Sequence, residues 1–332
     1  MSRIVLTGAT GYLGRHVVRR LTANGGDGTP IALVRRPAPE LEAEGVEVRV
    51  GSLHDREWVA AQLPEGCRVI HMAGRVAFEG PAAREMHGLH VDATRTLTDA
   101  ALARGCARFV LLSSSGVSAV STAPREHDET AGYPVETIGR WPYYLSKMLQ
   151  EKLVLDRVAR EGLPAVVLNP SLLLGPGTGG VTSTGIVEDA VAGRIPVVPS
   201  GGPSIVDVRD VAAAAVAALE RGPVGERYFL ASLNCTFAEF FRRLGACGAG
   251  RVPTVEVPGG AGVLGARILR RIAPERAAGI HPMKMEMARH FWYVDARRAR
   301  GELGFSPRRA DETLRETLEG EGPAHDTSRH QP

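Results

Sequence analysis

A glycine-rich turn near the N-terminus constrains this chain more than any other feature. The segment is Thr7-Gly8-Ala9-Thr10-Gly11-Tyr12-Leu13-Gly14. It follows Arg3-Ile4-Val5-Leu6, which reads as a strand, and leads into Leu13, Val17 and Leu21, spaced along one helix face. A strand that ends in glycines and opens a helix is the context a dinucleotide site requires. Gly8 permits the tight turn. Gly11 lets backbone N–H groups approach a pyrophosphate, and Gly14 lets helix and strand pack closely. Thr10, Tyr12 and Leu13 complete the loop and are expected beside the phosphates. The helix N-terminus adds its partial positive charge.

The rest of the first half repeats this rhythm. Apolar runs recur at Ile31–Val34, Val46–Val50, Val69–Met72, Phe109–Leu112 and Ala165–Leu168. Helix-length segments separate them: one capped by Asp55, one over about 84–104, one over about 143–161. Strands alternating with helices predict an α/β fold with a doubly wound parallel sheet. After about residue 170 the rhythm breaks into Gly/Pro loops and short strands at Ile205–Val208, Arg227–Leu230 and Thr254–Val257. Thr236 and Glu239 form a capping box ahead of Phe240 and Phe241, and Asp295 caps a helix to about Leu303. The expected division is a nucleotide-binding domain over 1–172, to which 205–235 can return, and a smaller C-terminal α/β substrate domain over 173–319. Residues 320–332 are expected to fray.

Composition excludes several classes. With 332 residues, 44% hydrophobic and 23% charged, the chain can bury a core and is not mostly disordered. A net charge of +3 is too small for an obligate nucleic-acid partner. The four cysteines form no C-x-x-C pair, so buried thiols are expected and no metal. The apolar stretch before Thr7 is too short for a signal peptide, and no run approaches a membrane span. The expectation is a cytoplasmic protein with a small-molecule substrate and no stable membrane insertion; a homodimer is left open.

Three further groups carry chemistry. The second strand ends in Arg35-Arg36, with no acid before Glu40. A site for NAD(H) usually has a carboxylate there for the ribose, whereas guanidinium groups suit a 2′-phosphate. NADP(H) is therefore favoured over NAD(H), against the plainer reading of two solvated arginines. Tyr143 and Lys147 stand at i and i+4, on one helix face. An ammonium near a phenol lowers its pKa and makes it a usable proton donor and acceptor. Only three of the 40 basic residues are lysines, which weakens the reading of Lys147 as an ordinary helix residue. Ser113-Ser114-Ser115 ends the Phe109–Leu112 strand, at the edge where ligands gather in such sheets.

Together these motifs resemble the extended short-chain dehydrogenase/reductase family, the NAD-dependent epimerase/dehydratase superfamily. T-G-x-x-G-x-x-G matches residues 7–14 and Y-x-x-x-K matches 143–147. In detail the chain is most similar to the dihydroflavonol-reductase-like and 3β-hydroxysteroid-dehydrogenase-like branch, and the likeness covers about residues 3–318. The resemblance implies a Rossmann fold and a catalytic set of Ser115, Tyr143 and Lys147, the last two also touching the cofactor. It implies that Met72, Ala73 and Gly74 line the cofactor, and that the stretch with Pro170 and Leu173 contacts the nicotinamide. Three positions depart from the family. Ser52, followed by Leu53, stands where Asp is usual near the adenine, which implies a weaker contact there. His90 replaces a usual Asn, and Gly74 a common alanine.

The reaction implied is hydride transfer between nicotinamide and a ketone or secondary alcohol. An NAD-dependent sugar-nucleotide epimerase is the nearest alternative, and a non-catalytic NADP-binding redox sensor a second. Val76, Phe78, Val117, Val120, Ile138, Trp141, Leu172 and Ile186 make the expected substrate wall mostly apolar, with Arg140 and His281 scattered among them. The basic amphipathic stretch 263–272 reads as a packed helix ahead of a lid or a membrane-surface helix.

Overall fold

The computed structural model describes residues 2–23, 28–77, 80–177, 184–250, 252–257 and 282–320. Phe78, His281, the 263–272 stretch and nearly all of the C-terminal tail lie outside them. Seven parallel strands form the large sheet: β1 (Ile4–Thr7), β2 (Ile31–Val34), β3 (Glu47–Val50), β4 (Arg68–His71), β5 (Arg108–Leu112), β6 (Ala165–Pro170) and β9 (Arg227–Leu230). Their order is β3-β2-β1-β4-β5-β6-β9. The order reverses between β1 and β4, so a crevice opens beyond the C-terminal ends of these two strands.

Both faces of the sheet are buried, and the two-residue period of each strand divides its side chains between two cores. Leu6, Ile70, Val110 and Val166 join Val17 and Val18 of α1 (Tyr12–Thr22) and Val211 and Ala214 of α9 (Val208–Ala217). Val5, Val69, Leu111 and Val167 join Val59 of α3 (Arg56–Gln62), Leu97 of α5 (Ala93–Ala103) and Val154 of α7 (Pro142–Glu161). The shorter helices on this part of the chain are α2 (Pro39–Ala43), α4 (Gly80–His87) and α6 (Val135–Ile138).

A three-stranded sheet holds β7 (Leu172–Leu174), β8 (Ser204–Asp207) and β10 (Leu233–Asn234) in the order β10-β8-β7. Its core combines Leu174 and Ile205 with Phe240, Phe241 and Leu244 of α10 (Phe237–Ala246) and Leu314 of α13 (Ala310–Glu319). The remaining described helices are α8 (Gly185–Val191), α11 (Pro282–Met287) and α12 (Arg297–Glu302).

Several local readings hold. Asp55 accepts the Trp58 N–H at 3.0 Å, and Thr236 accepts that of Glu239 at 3.1 Å. Others need correction. The helix expected over 84–104 is broken by a π turn at Gly88–Asp92. Thr254–Val257 forms no strand; Glu256 makes one isolated bridge to Val198. Asp295 accepts the Arg297 N–H at 2.9 Å, but the residue preceding α12 is Ala296. β7 lies in a stretch read only as a contact segment. A three-residue strand leaves too short a period to detect.

Candidate active site

The glycine turn is packed against the end of β4. Gly8 has φ +74°, and a Cβ there would lie 2.7 Å from the Ala73 nitrogen and the Met72 carbonyl carbon. On Gly14 a Cβ would lie 2.1 Å from the Gly8 carbonyl oxygen. Glycine is thus required at both places by close backbone approach. The Gly11 N–H donates to the Gly8 carbonyl at 3.0 Å. Gly11 caps α1 with no side-chain bond, and no acid occupies the first turn. No side chain there competes with an anion for the free N–H groups. Thr10 and Gly11 are exposed, and Tyr12 and Leu13 half-buried. The Tyr12 hydroxyl donates to the Gly175 carbonyl at 2.9 Å, and His16 meets the Pro176 carbonyl at 3.1 Å.

The other expected cofactor residues line the same edge of the sheet. Arg35 and Arg36 are exposed just beyond β2, with no ion pair among the described residues. Ser52 follows β3, its hydroxyl accepting the His54 N–H at 3.2 Å, while Leu53 is buried. Met72, Ala73 and Gly74 follow β4, and the Ala73 N–H donates to Thr7 Oγ1 at 3.2 Å. Pro170 ends β6 and Leu173 sits in β7.

Helix α7 carries both Tyr143 and Lys147. Lys147 is buried; its Nζ donates to the Leu112 carbonyl at 2.8 Å and to Gln150 Oε1 at 2.9 Å. An ammonium has three protons, so one donor is left over. Burial lowers its pKa to about 8, with the Glu151 carboxylate opposing. Tyr143 runs against expectation: burial pushes its phenol up to about 12, and only a hydrogen bond with the Ser114 side chain pulls it down. The Lys147 ammonium is turned toward Leu112 and Gln150 instead, so desolvation dominates over charge.

The three serines part company. Ser113 Oγ donates to Glu151 Oε2 at 2.5 Å, joining a buried group in which Asn169 Nδ2 donates to Glu151 at 2.7 Å and Arg227 at 3.0 Å. Ser114 reaches the Tyr143 phenol. Ser115 is buried at the start of a 3₁₀ turn, its carbonyl taking the N–H groups of Ser118 and Ala119.

A second polar chain runs beneath the crevice. The Thr7 hydroxyl meets His71 Nδ1 at 2.6 Å, and His71 Nε2 meets Thr94 Oγ1 at 2.8 Å. Thr94 donates to the His90 carbonyl at 2.6 Å and accepts from Gln150 Nε2 at 2.8 Å. Thr94 therefore has no proton left for His71, which must donate from Nε2 and accept from Thr7. Burial lowers the His71 pKa to about 3.

Beside Tyr143 lies an apolar cluster. The Tyr143 and Tyr144 rings are 5.0 Å apart, and Tyr144 stacks on Trp292 at 4.9 Å. Val117, Val120, Ile138 and Trp141 pack there with Met283 and Met287, while Leu172 and Ile186 belong to the core of the small sheet. Arg140 pairs with Glu286 at 2.9 Å. In the sequence Ser114 stands only as one of the serine run, and Gln150 and Glu151 escaped the sequence reading as members of this site. For these two a signal existed, since both lie one turn beyond Lys147 on α7.

Among the described residues no helix is long and apolar enough to cross a membrane. A family model described as the NAD dependent epimerase/dehydratase family matches residues 4–231. The chain is 28% identical over 312 residues to Sterol demethylase protein B of Methylococcus capsulatus, covering 91% of this chain and 93% of that one. It is 26% identical over 330 residues, 97% of each chain, to a Stigmatella aurantiaca protein named 4-hydroxy-2-methyl-3-oxo-4-farnesyl-3,4-dihydroquinoline-1-oxide ketoreductase. The crystal structure of gox2253 matches with a TM-score of 0.83 at 28% identity, covering 97% of this chain and 98% of that one.

Proposed function

The chain belongs to the NAD dependent epimerase/dehydratase family, and we propose that within it the protein is an NADP(H)-dependent reductase of a hydrophobic ketone. The observation that carries this reading is the packing of the Tyr143 ring against the Tyr144–Trp292 aromatic wall, one turn along α7 from the buried Lys147. A proton donor beside apolar surface suits an apolar carbonyl compound. The Stigmatella relative's name, a ketoreductase with a farnesyl group in its substrate, supports the same class.

The residues present fit a dinucleotide. Gly8 lets the turn pack on the end of β4 and Gly14 lets α1 pack on that turn, so the uncapped start of α1 is held where a pyrophosphate would meet its N–H groups. Lys147 has one donor left for the nicotinamide ribose hydroxyls. Arg35 and Arg36 are free to meet a 2′-phosphate, which supports NADP(H) over NAD(H). When bound, the nicotinamide supplies the hydride. Tyr143 then gives its proton to the developing alkoxide, and a phenol held near 12 remains protonated at neutral pH for that task. Ser115, the position the resemblance makes catalytic, holds the carbonyl oxygen. Ser114 orients the phenol.

The test is NADPH consumption over a panel of hydrophobic ketones, with product identified by mass. A reductase oxidises one NADPH per alcohol formed, and protein purified through high salt emerges largely free of nicotinamide, because screened arginine contacts weaken. Protein that retains about one NAD per chain and isomerises a nucleotide sugar without net cofactor change would establish the epimerase reading instead.

A further inference from the structure

We propose that His90 is a positioning residue, a neutral imidazole that ties the turn after β4 to the tyrosine helix, and that residue 74 is glycine to make room for it. The inference rests on the reading of Tyr143 and of the 72–74 turn given above.

His90 is fully buried in the π turn between α4 and α5. Its Nε2 accepts the Arg75 N–H at 3.2 Å, so that nitrogen carries no proton. Its Nδ1 lies 2.9 Å from Ser146 Oγ. Ser146 spends its one proton on the Tyr143 carbonyl at 2.8 Å, so toward His90 it can only accept. Both contacts demand the same tautomer, with the proton on Nδ1. The imidazole also stands edge-on to the Tyr143 ring, centroids 5.9 Å apart at 71°. One side chain thus fixes the Arg75 backbone, the backbone of Tyr143 through Ser146, and the Tyr143 ring.

With both nitrogens committed, His90 has no place for a proton in transit. Besides the Tyr143 phenol, the ionisable groups facing it are the basic Lys147, His71 and His87. All three oppose its protonation, and burial opposes it more, so its pKa falls to about 2. A protonated ring would also lose the Arg75 bond, since Nε2–H would face a second donor.

Gly74 completes the arrangement. A Cβ there would lie 3.2 Å from His90 Nε2 and 3.6 Å from Lys147 Nζ. Alanine would press on the imidazole where it holds Arg75. Asparagine at position 90 ends short of the Nε2 position and leaves that space open. The two positions are therefore coupled: Gly74→Ala harms the site with His90 present and is tolerated with His90→Asn.

Two measurements test this. In protein labelled with ¹⁵N in its histidine rings, long-range ¹H–¹⁵N spectra from pH 5 to 8 report each tautomer, and His90→Asn identifies the His90 signals. We expect the Nδ1–H pattern with no titration; an Nε2–H pattern, or a midpoint between pH 5 and 7, overturns the proposal. The second is NADPH affinity by fluorescence, with melting temperatures to confirm folding. Gly74→Ala should weaken binding about tenfold and the double variant no more than about threefold. Losses that simply multiply overturn the coupling, and His90→Gln replaces His90→Asn if the latter does not fold. Wild-type protein that binds no NADPH would overturn the cofactor reading, and the spectra would still decide the tautomer.

Discussion

Lys147 and Gln150 are joined one turn apart on α7, with Nζ donating to Oε1 at 2.9 Å. The Gln150 amide passes this contact on to Thr94 at 2.8 Å, and so to the buried chain through His71 and Thr7. The position of the Lys147 ammonium is therefore set by the same groups that support the glycine turn.

That link predicts a pH dependence of cofactor binding. With a pKa lowered to about 8, Lys147 is charged below that pH and loses its charge above it. NADPH affinity should accordingly be level to about pH 7.5 and weaken as pH rises through 8. Gln150→Leu removes an acceptor and moves the fall to lower pH, while Gln150→Glu moves it higher. Fluorescence titrations at several pH values measure this; identical profiles in all three proteins would exclude Lys147 as the group responsible.

Cofactor choice is predicted to depend on Arg35 and Arg36. Changing both to alanine should weaken NADPH binding at least about tenfold, roughly 1.4 kcal/mol, and leave NADH nearly untouched. Equal losses for both cofactors would remove the 2′-phosphate assignment.

Proton transfer is predicted to separate the two adjacent tyrosines. Tyr143→Phe should lower turnover by about 10² to 10⁴ with NADPH affinity retained, and Tyr144→Phe should be mild. Among the serines, Ser115→Ala should lose roughly 10- to 100-fold. Ser114→Ala should lose less than about tenfold, while raising the phenol pKa further. A reversed order would transfer the carbonyl-holding role to Ser114. Steady-state kinetics on the ketone found by the panel supply the comparison.

Acid should destabilise the fold through its buried imidazoles. His71 and His90 stay neutral in the native state, with pKa values lowered to about 3 and about 2, whereas the unfolded chain protonates both below about 6.5. The unfolded state then binds more protons, so stability falls as pH falls. The two together withdraw up to roughly 4 kcal/mol between pH 7 and pH 5. Urea unfolding at pH 7 and pH 5 checks this, and His71→Gln should flatten the slope by about half. An unchanged midpoint would mean that both rings take up protons in the folded protein.

Much of the fold was legible because it depends on short-range order. The six strands of the first half lie within one or two residues of their apolar runs. Gly8 and Gly14 could be assigned roles because backbone approach leaves glycine no substitute, and the Tyr143–Lys147 pair because helix geometry alone aligns i with i+4. What escaped depends on burial and on which partner is nearest in space. The sequence places an ammonium one turn from a phenol. Only the folded chain turns that ammonium toward the Leu112 carbonyl and Gln150, so that desolvation raises the phenol pKa instead of charge lowering it. Three serines in a row are equivalent on paper. They differ once β5 ends and the backbone turns, sending Ser113 to Glu151, Ser114 to Tyr143 and Ser115 into a buried turn. His90 and Gly74 are sixteen residues apart in the chain and carry no shared period. Their relation exists only because the π turn and the end of β4 meet over one imidazole, at a distance that no local propensity encodes.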